Sequence, residues 1–240
     1  MQDSVPRAHN TQTTSCYMCE TAATSNEHAP PKCLFPEGHR IDLITVPSCD
    51  THNSEKCMDD EYMRLVISGS HTASAEGHQE AFDKAIEGLK RRPHLFKEFF
   101  FKGPTYPAIV DGQPTMGFTV DYGRFTNALE HTARAVYFHH FKVKWSEQLR
   151  VLVASGVFPP DRAKAPLQNA RVLALAGWDP GTPKFGDNPE IFFYQSWTDA
   201  SPLLSTLRMV FYGGFVVFVV PLSRMKSSPF AGAAPAPSAP

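Results

Sequence analysis

Cys16-Tyr17-Met18-Cys19 and Leu43-Ile44-Thr45-Val46-Pro47-Ser48-Cys49-Asp50-Thr51-His52-Asn53-Ser54-Glu55-Lys56 are the stretches on which the fold turns. The first holds a C-x-x-C and the second, its cysteine 30 residues after Cys19, a C-x-x-H. Two ligands three positions apart reach one ion from a tight turn, and two such knuckles close a tetrahedral zinc site. Cys16, Cys19, Cys49 and His52 are therefore the expected ligands of one structural Zn2+, with a hairpin in the chain between the knuckles. All 5 cysteines lie in the first quarter of the chain, and the polar stretch Met1–Thr14 has no apolar core of a secretory signal. An odd, clustered set in that setting favours metal ligation over a disulfide framework. Cys33 and Cys57 have no partner at knuckle spacing and read as small buried hydrophobes.

Between the knuckles lies Ser25-Asn26-Glu27-His28-Ala29-Pro30-Pro31-Lys32, and the second knuckle runs straight into Asn53-Ser54-Glu55-Lys56 at an expected helix start. An acidic residue and a histidine on a first strand, then an apolar second strand, a zinc knuckle and a His or Asn opening a helix form a recognisable pattern. In this arrangement residues 14–60 resemble the HNH endonuclease family. The resemblance implies a zinc-stapled ββα-metal module. It also implies His28 as the general base that activates water, with Glu27 and Asn53 holding a catalytic Mg2+ or Mn2+. Those roles suit the residue types: a neutral imidazole accepts a proton near pH 7, and carboxylate and amide oxygens suit a hard divalent ion. The chain departs from the family at Ile44, where many members carry an asparagine that orients the histidine.

Outward from this module the chain is large enough for one big domain or two small ones, at about 100–200 residues each. Hydrophobic residues make up 42% and aromatics 12%, which excludes a wholly disordered chain. The formal charge of −1 excludes a global basic field for gripping nucleic acid. Its distribution is uneven: residues 1–60 carry 4 Lys/Arg against 9 Asp/Glu, and residues 84–150 carry 11 against 6. Lys90, Arg91, Arg92, Lys97 and Lys102 are the densest basic cluster, interleaved with phenylalanines. That stretch suits phosphate contact and base stacking, or an amphipathic element with its rings in the core.

The expected organisation is a flexible leader (1–14), the zinc module (15–60), a mostly helical connector (61–104), an α+β domain with an antiparallel sheet (105–226) and a disordered Ala/Pro/Ser-rich tail (227–240). Phe82, Ile86 and Leu89 have helical spacing, and Pro93 should end that helix. Tyr106–Val110 and Met116–Val120 flank Asp111-Gly112 as a hairpin. Phe125–Phe141 reads as a helix with Leu129, Ala133, Val136 and His140 on one face, and Ala163–Ala176 as another. Adjacent His139 and His140 point about 100° apart on a helix, so one reads as surface and one as core. Leu149–Ala154, Ile191–Trp197 and Leu207–Val220 read as strands, the last split at Gly213-Gly214. The apolar run Met209–Leu222 falls short of the roughly 20 residues a spanning helix needs.

The sequence thus predicts an α+β protein: a cytoplasmic HNH-like nuclease acting on nucleic acid, DNA before RNA, with no membrane role. The competing expectation is a catalytically degenerate zinc-stapled protein that binds nucleic acid or, through its C-terminal region, a protein partner.

Overall fold

A computed structural model describes residues 14–70, 72–73, 77–94, 98, 103, 105–110, 112–154, 179–198 and 201–226. The expected leader, the helix at 163–176, Lys97, Lys102 and the tail after 226 lie outside the described residues, the leader except for its last residue. The chain is α+β, with antiparallel pairing throughout its described strands. Strands β1 (Ser25–His28) and β2 (Thr45–Ser48) form a two-stranded ladder with Glu27 opposite Val46 and His28 opposite Thr45. Two short 3-10 turns, Asp50–His52 and Ser54–Lys56, carry the chain into helix α1 (Cys57–Ser68). The order strand, strand, helix follows from the sequence: the first C-x-x-C precedes β1 and the C-x-x-H separates β2 from α1.

Helix α2 (His78–Arg91) follows. Among the described residues of the expected connector, α1 ends at Ser68, α2 begins at His78, and residues 93, 94 and 98 are again helical. Gly77 sits at φ +86°, and a Cβ there would lie 2.8 Å from Ile191 Cδ1 and 3.0 Å from Pro36 Cγ. Both the left-handed backbone and the close approach demand glycine. On α2 the fully buried stripe is Ala81, Ala85 and Leu89, with Phe82 and Ile86 half-buried beside it. The small alanines let α2 lie close against α1, so the helix face is rotated from the one its larger residues suggest. The helix ends at Arg91, two residues before Pro93.

Strands β3 (Thr105–Val110) and β4 (Gln113–Phe118) make the expected hairpin around Gly112, at φ +77°. Helix α3 (Tyr122–Phe141) then runs through the middle of the molecule. Asp121 caps it, its carboxylate accepting a hydrogen bond from the Arg124 backbone N–H at 3.1 Å. Lys142, at φ +58°, closes its C-terminus in the left-handed conformation. Leu129, Ala133 and Val136 are fully buried, as their spacing requires, while His139 and His140 are both half-buried.

Five strands form the main sheet in the order β5-β9-β8-β7-β6: β5 (Leu149–Val153), β6 (Phe185–Asn188), β7 (Phe192–Trp197), β8 (Thr206–Phe211) and β9 (Phe215–Pro221). The apolar run near the C-terminus is thus two strands folded at Gly213-Gly214, and a short helix α4 (Leu222–Lys226) follows it. Alternation along the strands splits the side chains between two faces. Leu207, Met209, Phe211, Phe215, Val217 and Val219 join α3 in the core, where Phe125 meets Phe215 edge-on. Phe218 and Val220 pack on the opposite face with Trp197 and Leu152.

One continuous core runs from Cys16 and Tyr17 through α1 and α3 to Val219. The N-terminal segment is sewn into it at several points. The Tyr212 hydroxyl donates to Leu34 O at 2.6 Å, fully buried. Asn188 donates to Ile41 O at 2.9 Å, and His39 pairs with Glu190 at 3.1 Å. Among the described residues no helix is long and apolar enough to cross a membrane.

Candidate metal centre

The four donors picked out by spacing converge. One ligand atom each from Cys16, Cys19, Cys49 and His52 lies within 4.8 Å of the other three. Cys19 Sγ is 3.8 Å from Cys49 Sγ, and His52 Nδ1 is 3.3 Å from Cys49 Sγ and 3.5 Å from Cys16 Sγ. With Zn–S near 2.3 Å and Zn–N near 2.0 Å, a tetrahedron has S···S edges of about 3.8 Å and S···N edges of about 3.5 Å. These three edges match such a tetrahedron, and the Cys3His donor set is the chemistry of structural zinc. Burial lowers the His52 pKa and keeps its imidazole neutral, as ligation requires. Hydrogen bonding with Thr21 holds the Cys19 thiol below its ordinary value, whereas burial raises that of Cys49.

The surroundings brace the ligands. The Met18 amide donates to Cys16 Sγ at 3.5 Å, and Lys144, just beyond α3, donates to Cys19 O at 2.6 Å. His131 of α3 lies edge-on to His52, with ring centroids 5.9 Å apart. Burial, then the Lys56 charge, lowers its pKa. Of the two cysteines left over, Cys33 is half-buried, and burial pushes its thiol up to about 12. Cys57 is exposed in the first turn of α1, contrary to its reading as a buried hydrophobe.

The residues expected around a catalytic cation are placed separately. Glu27 is buried, and its carboxylate lies 2.6 Å from Lys56 Nζ. Lys56 is 2.7 Å from both carboxylate oxygens of Asp60 as well. Burial pushes Glu27 up to about 7, against the attraction of Lys56. Burial also works against the Lys56 charge, but Asp60 and then Glu27 outweigh it and hold the ammonium above its ordinary range. Asn53 uses its side-chain N–H2 on β1, donating to Ser25 Oγ at 2.7 Å and Asn26 O at 3.4 Å.

His28 is half-buried at the end of β1, and the strand's alternation turns it to the face opposite Glu27. Burial, then the nearby Lys32 charge, lowers its pKa and leaves a neutral imidazole. At Ile44 the backbone carbonyl accepts from Ala29 N–H at 3.0 Å, continuing the ladder past His28. Among the described residues the Cys3His cluster is the single group of three or more His, Cys, Asp or Glu side chains able to share a metal ion.

In the basic cluster, Lys90, Arg91 and Arg92 are exposed at the end of α2. Arg92 binds both carboxylate oxygens of Glu61 on α1, at 3.0 and 2.9 Å, and Arg91 lies 3.7 Å from Glu87. Lys56, Asp60, Tyr17 and His131 have no place in the sequence reading. Lys56 and Asp60 stand at i and i+4, which signals a helical ion pair, but the partner 29 residues upstream is visible only in the fold. Compared with protein-family models, curated proteins and solved structures, the chain matches none.

Proposed function

We propose that this chain is a zinc-stapled ββα endonuclease of the HNH kind, cutting phosphodiesters in DNA rather than RNA. The observation that carries the reading is the order of parts around one Cys3His cluster. A knuckle, a strand ending in Glu27-His28, a second strand, a second knuckle, Asn53 and a helix follow in that order. Zinc fixes β1 and β2 against the entrance of α1 and takes no part in the reaction. His28, kept neutral, accepts the proton of an attacking water. Lys90 and Arg91 offer phosphate contacts.

Glu27 and Asn53 have the donor chemistry of a hard-cation site but not its arrangement: one is engaged by Lys56, and the other faces Ser25. The same closure of Glu27 favours a second reading, a protein that keeps the zinc staple and binds nucleic acid without cutting it.

Plasmid nicking separates the two. The zinc-loaded protein and its His28→Ala variant are compared over a panel of divalent ions and with none added. Nicking by the wild type and its loss in the variant support the nuclease. Equal nicking in both, or none in either, refutes it, and salt-sensitive DNA binding by both then supports the second reading.

A further inference from the structure

We infer that Glu27 and Asp60 form a built cation cradle whose resident cation is the ammonium of Lys56, so that a hard divalent ion enters only when that ammonium is removed. Three carboxylate oxygens lie 2.6, 2.7 and 2.7 Å from one nitrogen. The three side chains are only 6%, 6% and 13% exposed, so the group sits inside the protein. Two carboxylates meet one ammonium here, so a dication would find both of them once the ammonium is gone.

A buried hydroxyl of the same module is left over. Among the described residues the Tyr17 hydroxyl is buried and finds no hydrogen-bond partner. A buried hydroxyl left unsatisfied costs free energy. Glutamate and aspartate oxygens are ligands that the hard ions Mg2+ and Mn2+ prefer. The ionisable groups beside the cradle include His131 of α3, Asp59 of α1 and Cys33, whose thiol lies 3.7 Å from Asp60 O.

Lys56 therefore does in this chain what a bound ion would do: it holds β1 against α1 through Glu27 on one and Asp60 on the other. Being tethered, it competes with a free divalent ion as an intramolecular group, already held at the site. The inference goes beyond hydrolysis and stands whether or not His28 cuts a phosphodiester.

The test is Mn2+ binding to the full-length, zinc-loaded protein, read by electron paramagnetic resonance of free Mn2+ and by melting temperature. Wild type should bind no Mn2+ that depends on Glu27. Lys56→Met, which keeps the length of the side chain and removes its charge, should bind one Mn2+ at least about tenfold more tightly and melt higher as Mn2+ is added. The double variant Lys56→Met with Glu27→Gln should lose that gain. Lys56→Gln, which retains hydrogen-bonding ends, provides the same comparison should the methionine variant fail to fold. A wild-type Mn2+ site abolished by Glu27→Gln would overturn the inference, and so would Lys56 variants that fold and bind no Mn2+. Neither result depends on nicking, so the nuclease reading stands or falls separately.

Discussion

Replacing Cys49 with alanine should uncouple the N-terminal segment from the rest of the molecule. Cys49 is 5% exposed, and its sulfur lies 3.8 Å from Cys19 Sγ and 3.3 Å from His52 Nδ1, so it is a shared vertex of the cluster. Structural zinc sites contribute about 10–16 kcal/mol of apparent binding free energy, much of it coupled to folding. Spread over four ligands, that is about 2.5–4 kcal/mol for each, or roughly 100- to 1000-fold in zinc affinity. Whole domains are stable by only about 5–15 kcal/mol, so losing one ligand removes a large share of the margin. The assay is zinc content by atomic absorption after dialysis, with amide hydrogen exchange resolved by segment. The variant should lose its zinc, and amides of 16–56 should exchange faster than those of α3 and β7–β9. One zinc per chain in the variant, or unchanged protection across 16–56, would show that the cluster does not staple the segment.

Tyr212→Phe removes the donor to Leu34 O and leaves that buried carbonyl unpaired. The expected cost is about 1–3 kcal/mol, or roughly 2–4 °C in melting temperature per kcal/mol, with zinc content unchanged. Burial holds the His140 imidazole below its ordinary value. Because the unfolded chain then binds the proton more readily than the native one, stability is full above the unfolded value of about 6.5 and is lost as pH falls below it. His140→Phe should flatten the decline in melting temperature between about pH 6.5 and 5 relative to wild type, with zinc measured at each pH. Arg91→Ala with Arg92→Ala should weaken duplex binding across sequences and reduce the log–log salt slope by about 0.9 for each phosphate no longer neutralised. An unaltered slope would place the nucleic-acid surface elsewhere.

The zinc cluster was legible because its signal is local: three positions separate the members of each knuckle, and no tertiary context is needed to bring them together. The 105–118 hairpin, the 122–141 helix and the paired strands near the C-terminus were legible for the same reason, through Gly112, helical spacing and the Gly213-Gly214 fold. Strand β6, four mostly exposed residues around Gly186 and Asp187, carries no apolar alternation and owes its place to pairing with β7. Lys56 was hidden for a different reason. A lysine among polar residues reads as solvated, and only the approach of β1 to α1 puts Glu27 beside it and closes water out. The buried face of α2 escapes a periodicity reading because large residues dominate the pattern, while close packing against α1 selects the alanines.

The hydrogen bond from Tyr212 to Leu34 has a consequence for the order in which the molecule is made. Its partners are 178 residues apart, so the N-terminal segment leaves the ribosome long before the sheet that covers it exists. At about 5–20 residues per second that interval is roughly 10–35 s. Through it Leu34, Phe35 and Tyr17, all buried in the finished protein, lack their eventual neighbours in α3 and the sheet. The four zinc ligands, by contrast, are complete once residue 52 has emerged. Beside the β1–β2 pairing, metal capture would thus be a long-range tie already open to the nascent segment, so that metal supply during synthesis would bear on yield as well as on final stability.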